Sequence, residues 1–149
     1  MSGLDALNHH LAGMPPVAAM QVRAMAFDGE VLRLRAPLAA NVNDKGCAFG
    51  GSMSGLMTLA GWGLLTLKMQ AAGLPAEVYV ADSHVRYLKP LYADLQGEAR
   101  LEPDVDWEAF LRSFRERGRA RAGVRATLRD ADGVVVAELS GRFAALRPA

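Results

Sequence analysis

A polar, glycine-rich loop followed by a long uncharged segment contains the residue types that could do chemistry. The loop has the sequence Asn-Val-Asn-Asp-Lys-Gly-Cys-Ala-Phe-Gly-Gly-Ser over residues 41–52. No Asp, Glu, Lys or Arg lies between Lys45 and Lys68. A segment that is apolar on every side is either buried all round or lies in a membrane. The pattern predicts a loop that leads into a central helix, whose N-terminus offers unpaired main-chain N–H groups to a ligand.

The glycines of this segment indicate close packing. Each costs about 1 kcal/mol of helix stability relative to alanine, which is tolerable where another backbone must approach closely. They are Gly50, Gly51, Gly55, Gly61 and Gly63. The segment is long enough to cross a membrane, but its serines, threonines and glycines, and the amphipathic strands on both sides, favour a buried helix in a globular protein.

Composition places the chain among globular proteins. Its 149 residues, predicted to form one domain over 1–149, are 51% hydrophobic and 22% charged. The formal net charge of +1 argues against nucleic acid held by a global basic field. A single cysteine, Cys47, and an N-terminus without a secretory signal pattern favour a reducing, cytoplasmic location. No ligand cluster accompanies the pair His9 and His10, so no metal or cofactor is expected.

The remaining elements follow from hydrophobic periodicity. A helix is predicted over residues 4–11, and Phe27-Asp28-Gly29 turns a hairpin between strands 17–26 and 30–36. The central helix should end near Gly73 and Pro75. Further strands are predicted over residues 77–88, 95–101, 119–130 and 134–146, with a short amphipathic helix within 103–117.

Two of these strands carry polar residues on one face. Strand 119–130 is the clearest, since its arginines alternate with small apolar residues. Those arginines are Arg119, Arg121, Arg125 and Arg129. In strand 77–88 one face is expected to carry Tyr79, Ala81, Ser83, Val85 and Tyr87. The other is expected to carry Val78, Val80, Asp82, His84 and Arg86.

The element order predicts an α+β protein with an antiparallel sheet wrapped around one long helix. This order, together with the loop and helix start over residues 41–52, resembles the hotdog fold. Two further strings carry the resemblance to one hotdog family, the putative thioesterases also found fused behind GNAT-type acetyltransferase domains. They are Leu-Ala-Gly-Trp-Gly at 59–63 and Arg-Tyr-Leu-Lys-Pro at 86–90.

The resemblance implies hydrolysis or binding of an acyl thioester carried by coenzyme A or by acyl carrier protein. It also implies a homodimer, or a dimer of dimers, with sites at the subunit boundary. Better-known hotdog thioesterases carry a histidine in the loop and an acidic residue on the helix. Here Phe49 and Thr58 occupy those two positions, so the usual mechanism does not transfer intact.

The candidate catalytic residues follow from what thioester hydrolysis needs. Gly50 and Gly51 can stabilise a developing oxyanion through their N–H groups, or can simply permit tight packing. Asn43 can orient a water molecule. Asp82 could reach a partner's site or be an interface charge, while Ser83 could line the site or bond the backbone.

The candidate substrate-binding residues are Asp44, Cys47, Phe49, Thr58 and Arg86. Asp44 could be a base or a turn cap, Cys47 a nucleophile or a buried thiol, and Thr58 could bond a preceding carbonyl. The arginines between residues 112 and 129 suit coenzyme A phosphates, an acidic carrier protein or solvent. They lack the interleaved aromatic residues of a nucleic-acid site.

Three functions follow from these residues. The first is an acyl-thioester hydrolase. The alternative is a non-catalytic acyl-ligand binding module, because both expected catalytic side chains are replaced. A dehydratase is a third option, but it ordinarily needs a histidine that this loop does not supply.

Overall fold

The computed structural model describes residues 3–149, which form a six-stranded antiparallel sheet around a long helix. The helices are α1 (Gly3–Ala12), α2 (Pro15–Met20), α3 (Gly50–Ala71) and α4 (Trp107–Arg117). The strands are β1 (Arg23–Phe27), β2 (Leu32–Ala36), β3 (Glu77–Tyr87), β4 (Leu95–Leu101), β5 (Arg119–Arg129) and β6 (Val135–Leu146). The predicted α+β class and the central helix are confirmed.

α3 is the centre of the hydrophobic core. It packs against five of the six strands, and residues on all its sides between Met53 and Met69 are buried. Two of its glycines are required by close approach of other side chains. A Cβ on Gly61 would lie 2.5 Å from Cζ of Phe143, and one on Gly63 would lie 2.8 Å from Cδ2 of Leu32. The uncharged segment is therefore a buried helix that the sheet encloses.

The sheet has the strand order β1-β2-β4-β5-β6-β3, and every neighbouring pair is antiparallel. β5 shows the predicted alternation, because Ala120, Val124 and Leu128 are buried while its arginines are exposed. One face of the sheet thus packs on α3 and the other carries charge. Among residues 3–149, no helix is long and apolar enough to span a membrane.

The two edges of the sheet differ in how their backbone is protected. β1 has five residues and an irregular register, and the Asn8 side chain bonds both the N–H (2.7 Å) and the carbonyl (2.9 Å) of Ala24. β3, at the other edge, has 11 residues, nearly all of them exposed. A long exposed edge strand invites pairing with another chain, whereas a short, bonded one does not.

The predicted strand over residues 17–26 is wrong in its first part. Pro15–Met20 is the helix α2, and the strand begins only at Arg23. Pro15 and Pro16 occupy the first positions of this helix, where proline's fixed φ is suitable and its missing N–H is not needed. The two prolines therefore separate two helices and begin the second.

The predicted faces of β3 are also wrong in part, because its register shifts between Val80 and Asp82. Val80 pairs with the buried Phe143 and faces α3, while Asp82 pairs with an exposed residue and faces away. Cross-strand partners share a face of the sheet. Tyr79 and Ser83, predicted on one face, consequently lie on opposite faces.

Candidate functional site

The N-terminus of α3 carries main-chain donors without partners. Phe49 is the N-cap residue and provides no side-chain cap. The first hydrogen bond runs from the N–H of Met53 to the carbonyl of Phe49, at 3.0 Å. Within residues 3–149, the N–H groups of Gly50, Gly51 and Ser52 make no hydrogen bond. Gly51 is exposed and Gly50 half-buried, so this end of the helix is open to solvent in the single chain.

The loop before α3 is shaped by its own polar groups. The Asn43 side-chain oxygen accepts from the N–H groups of Lys45 (2.8 Å) and Cys47 (3.2 Å), and its amide nitrogen donates to Sγ of Cys47 (3.2 Å). The Phe49 N–H donates to the carbonyl of Asn41 at 2.8 Å. These bonds fix the path of the chain into the helix. The Asn43 side-chain amide, which was expected to orient a water molecule, is thus bonded within the loop itself.

Two aromatic rings flank the helix start. The Phe49 ring covers Gly51, since a Cβ there would lie 2.5 Å from its Cε2 atom. The Tyr87 hydroxyl donates to the carbonyl of Gly50 at 3.2 Å. Phe49 and Tyr87 are 55% and 54% exposed, which leaves apolar surface beside the free N–H groups. A ligand with an apolar part and a carbonyl would find apolar contacts there next to hydrogen-bond donors.

Tyr87 was not among the candidate site residues predicted from the sequence. It lies in the string at residues 86–90 that carries the family resemblance, and that string was the available signal. Its role becomes visible only because the last residue of β3 lies beside the first residue of α3.

The polar residues of β3 are separated from the helix start. Asp82 lies on the face away from α3 and is paired with Arg142, whose Nε lies 3.0 and 3.3 Å from the two carboxylate oxygens. Hydrogen bonding from that guanidinium lowers the pKa of Asp82, which makes it a weaker base. Arg86 lies on the same face and bonds Glu138 at 3.0 Å.

Ser83 faces α3 but is exposed, because β3 is an edge strand. Its hydroxyl is therefore not buried. Ser83 has no side-chain hydrogen-bond partner among the described residues, so its hydroxyl is available at the edge of the sheet.

The other predicted binding residues have local partners. Asp44 is exposed and pairs with the adjacent Lys45 at 2.9 Å. The Thr58 hydroxyl donates to the carbonyl of Ser54 at 2.9 Å, which is the local bond considered for it. Cys47 is a buried free thiol. Of the predicted set, Phe49 contacts Gly51 at the helix start, while Asn43 and Cys47 are bonded to each other in the loop before it.

The arrangement can bind and polarise a carbonyl. Free N–H groups at a helix N-terminus, assisted by the helix dipole, stabilise negative charge on oxygen. In the described part of the chain, no carboxylate or imidazole is hydrogen-bonded to residues 49–54. Residues 3–149 also contain no cluster of three or more His, Cys, Asp or Glu side chains suited to a metal ion. The helix start thus offers hydrogen-bond donors to a carbonyl, and none of its described hydrogen bonds involves a side chain that could act as a base.

Comparison with known families gives one match across nearly the whole chain. A family model described as a putative thioesterase (yiiD_Cterm) matches residues 5–147. Among solved structures, the putative thioesterase from Shewanella oneidensis is 30% identical, with a TM-score of 0.86 and 98% of each chain covered.

Two further structures share the fold. A protein of unknown function from Chlorobaculum tepidum is 25% identical, with a TM-score of 0.89 over 97% of this chain and 94% of that one. A thioesterase from Haemophilus influenzae is only 13% identical, yet the TM-score is 0.76 over 99% and 92% of the two chains. At that identity the likeness concerns the fold alone.

Proposed function

Because the chain belongs to this putative thioesterase family and has its hotdog fold, we propose that it hydrolyses acyl thioesters carried by coenzyme A or by acyl carrier protein. The thioester carbonyl binds at the N-terminus of α3. The observation that carries this proposal is the set of unbonded N–H groups at Gly50 and Gly51, open to solvent at the start of a buried helix.

In the proposed reaction, water adds to the carbonyl carbon and negative charge develops on the carbonyl oxygen. The N–H groups of Gly50 and Gly51 stabilise that charge more in the transition state than in the ground state, which is what lowers the barrier. The carbon–sulfur bond then breaks, and the proton lost by water goes to the leaving thiolate. The products are a carboxylic acid and a free thiol.

The aromatic pair, Phe49 and Tyr87, positions the substrate in this scheme. Both rings lie against the first turn of α3 and are about half exposed. A bound acyl thioester would cover them and exclude water from the N–H groups, which strengthens those hydrogen bonds. The Tyr87 hydroxyl, which donates to the carbonyl of Gly50, also lies at the first turn of α3.

We further propose that two copies pair through their β3 edges to complete the site. The edge strand is long, and it exposes Tyr79 (52%), Val80 (43%) and Tyr87 (54%). Pairing of two such edges would continue the sheet from one subunit into the next and cover this apolar surface. It would also bring the free hydroxyl of Ser83 to the subunit boundary, where the resemblance to hotdog thioesterases implies a site.

Replacing Val80 with lysine should disrupt this dimer, because the ammonium group cannot be buried without a partner. We expect a shift from dimer to monomer in light scattering after size exclusion, with at least a tenfold loss of thioesterase activity. The matched control is Val134→Lys, since Val134 lies just before β6, away from the β3 edge, and is similarly exposed, at 46%. A Val80→Lys protein that stays dimeric would contradict this pairing.

The hydrolase itself is tested by release of free thiol from short, medium and long acyl-coenzyme A and from acyl carrier protein. We expect turnover on at least one of them. The second candidate function is an acyl-binding module, favoured by Phe49 and Thr58 at the positions of the usual catalytic side chains. Ligand binding in calorimetry without turnover on any substrate would contradict the hydrolase and support the module.

A further inference from the structure

The exposed arginines of β5 fall into two groups. Arg125 is paired with Glu102 (3.4 Å) and Arg129 with Glu98 (3.8 Å). Arg119 and Arg121, at the beginning of the strand, have no ion pair or side-chain hydrogen bond within residues 3–149. The positive charge of Arg121 is close enough to contribute to the lowered pKa of Asp82. Half of the predicted arginine face is therefore neutralised and half is not.

The unpaired half belongs to a larger cluster where α4 ends. Ser113 donates to the carbonyl of Arg119 (2.9 Å), and Arg147 donates through Nη2 to the carbonyl of Arg115 (3.1 Å) and through its N–H to that of Gly118 (2.8 Å). These bonds hold the end of α4, the start of β5 and the end of β6 at one place. The arginine corner defined by them consists of Arg112, Arg115, Arg117, Arg119, Arg121 and Arg147.

The arginine corner is strongly basic in a nearly neutral protein. All six of its arginines are exposed, and residues 107–121 hold two acidic residues, Glu108 and Glu116. Glu102, Asp104 and Asp106 line a cavity next to Arg121, at the side of the corner away from Arg147. A further carboxylate, that of Glu77, lies in the same cross-strand row as Arg119 but two strands away. It accepts a hydrogen bond from the Tyr79 hydroxyl at 3.1 Å. The whole chain has a formal net charge of +1, so positive charge is concentrated here. Such a patch steers a negatively charged partner into one orientation.

We propose that the arginine corner docks an acidic carrier protein that presents the acyl group on its phosphopantetheine arm. This inference rests on the proposed function and narrows its substrate to the protein-bound thioester. The guanidinium groups come from three elements and are all exposed, which matches a broad acidic surface. A nucleotide phosphate would instead be held by a few donors that converge on one point.

The position of the corner relative to the helix start supports this role in a dimer. Within one chain, Glu77 begins β3 in the same cross-strand row as Arg119, and Tyr87 ends β3 beside Gly50. The corner and the helix start therefore lie at opposite ends of β3. Antiparallel pairing of two β3 strands reverses the partner, so the corner of one subunit lies at the same end of the joined sheet as the helix start of the other. A carrier protein docked on one subunit would deliver its arm to the neighbouring subunit.

The test is the triple variant Arg115→Gln/Arg117→Gln/Arg119→Gln, whose side chains make no hydrogen bond that the fold needs. The charge-matched control, Arg23→Gln/Arg35→Gln/Arg100→Gln, removes the same formal charge from β1, β2 and β4, where Arg35 is paired with Asp94 and Arg100 with Glu98. We expect the corner variant to bind holo-acyl carrier protein about tenfold more weakly in fluorescence anisotropy, in line with the loss of three exposed charge pairs. Its KM for acyl carrier protein should rise equally, and both effects should shrink at high salt.

The outcomes separate this inference from the proposed function. Unchanged carrier binding in the corner variant, with normal hydrolysis of acyl-coenzyme A, would overturn the docking surface and leave the hydrolase intact. An equal rise in the KM for acyl-coenzyme A would also overturn it, by assigning the corner to the coenzyme's phosphates. Corner-dependent carrier binding without hydrolysis of any thioester would support the docking surface and contradict the hydrolase.

Discussion

Replacement of Gly50 by proline is expected to lower kcat for thioester hydrolysis about 100-fold in a protein that remains folded. Proline removes one of the free N–H groups at the start of α3, and loss of a single oxyanion donor typically costs a factor of this size. The position tolerates proline, because it is the first residue of the helix. Phe49, which precedes it, has φ −65° and ψ 131°, the extended conformation that a residue before proline prefers.

Alanine at the same position is the control for added bulk. A Cβ on Gly50 would lie 3.7 Å from the Tyr87 ring, an ordinary contact, and alanine keeps the N–H group. We therefore expect Gly50→Ala to retain kcat within a few-fold. Both variants are compared by thiol release at saturating substrate, with circular dichroism and thermal melting as folding checks. Equal activity of a folded Gly50→Pro protein and the parent would exclude this N–H group as the oxyanion donor.

The central part of this site could be predicted from the sequence because its signals are local. A charge-free segment of this length has to be buried, and two glycines at its start identify the exposed helix end. The alternating arginines of β5 likewise define its faces, since every second residue is buried. These predictions depend only on the periodicity of a helix or a strand and on the distribution of charge.

The errors in these predictions arise where contacts between residues far apart in the sequence determine the structure. A register shift in β3 places Tyr79 on the opposite face from Ser83. No residue type near Val80 indicates this shift in the sequence. The contact of Tyr87 with Gly50 joins residues 37 positions apart, which periodicity does not reveal. Asn43 has the chemistry to orient water, but the loop uses its side chain to bind its own backbone.

The proposed hydrolysis needs a base to activate water, and no carboxylate or imidazole of residues 3–149 is hydrogen-bonded to the helix start. The sequence places Phe49 and Thr58 at the usual positions, and the structure gives each a local contact, with Gly51 and Ser54 respectively. In the proposed dimer, a second copy would cover the β3 edge beside the helix start. Spacing within one chain cannot identify groups that meet only across a subunit boundary.

Truncation of Phe143 to alanine is expected to lower the free energy of unfolding by about 4 kcal/mol, within the usual range for a buried phenylalanine. The ring is fully buried in the part of the sheet that faces α3, and it lies against Gly61. Urea denaturation at one fixed protein concentration measures this loss, because dissociation of a dimer would otherwise enter the result. A loss below about 1 kcal/mol would show that the core collapses around the site.

The contact between Gly61 and this ring predicts that the effect of Gly61→Ala on the free energy of unfolding changes sign when the ring is removed. In the parent protein, Gly61→Ala should destabilise by about 1–2 kcal/mol, since its Cβ would lie 2.5 Å from the ring and the overlap outweighs the better helix propensity of alanine. In the Phe143→Ala background the overlap is gone, so the same change should stabilise by up to about 1 kcal/mol. Gly55→Ala is the control, because its Cβ would meet only Met20 at 3.6 Å and should stabilise α3 in both backgrounds. If Gly61→Ala has the same effect with and without the ring, then the close approach of β6 does not explain the glycine in α3.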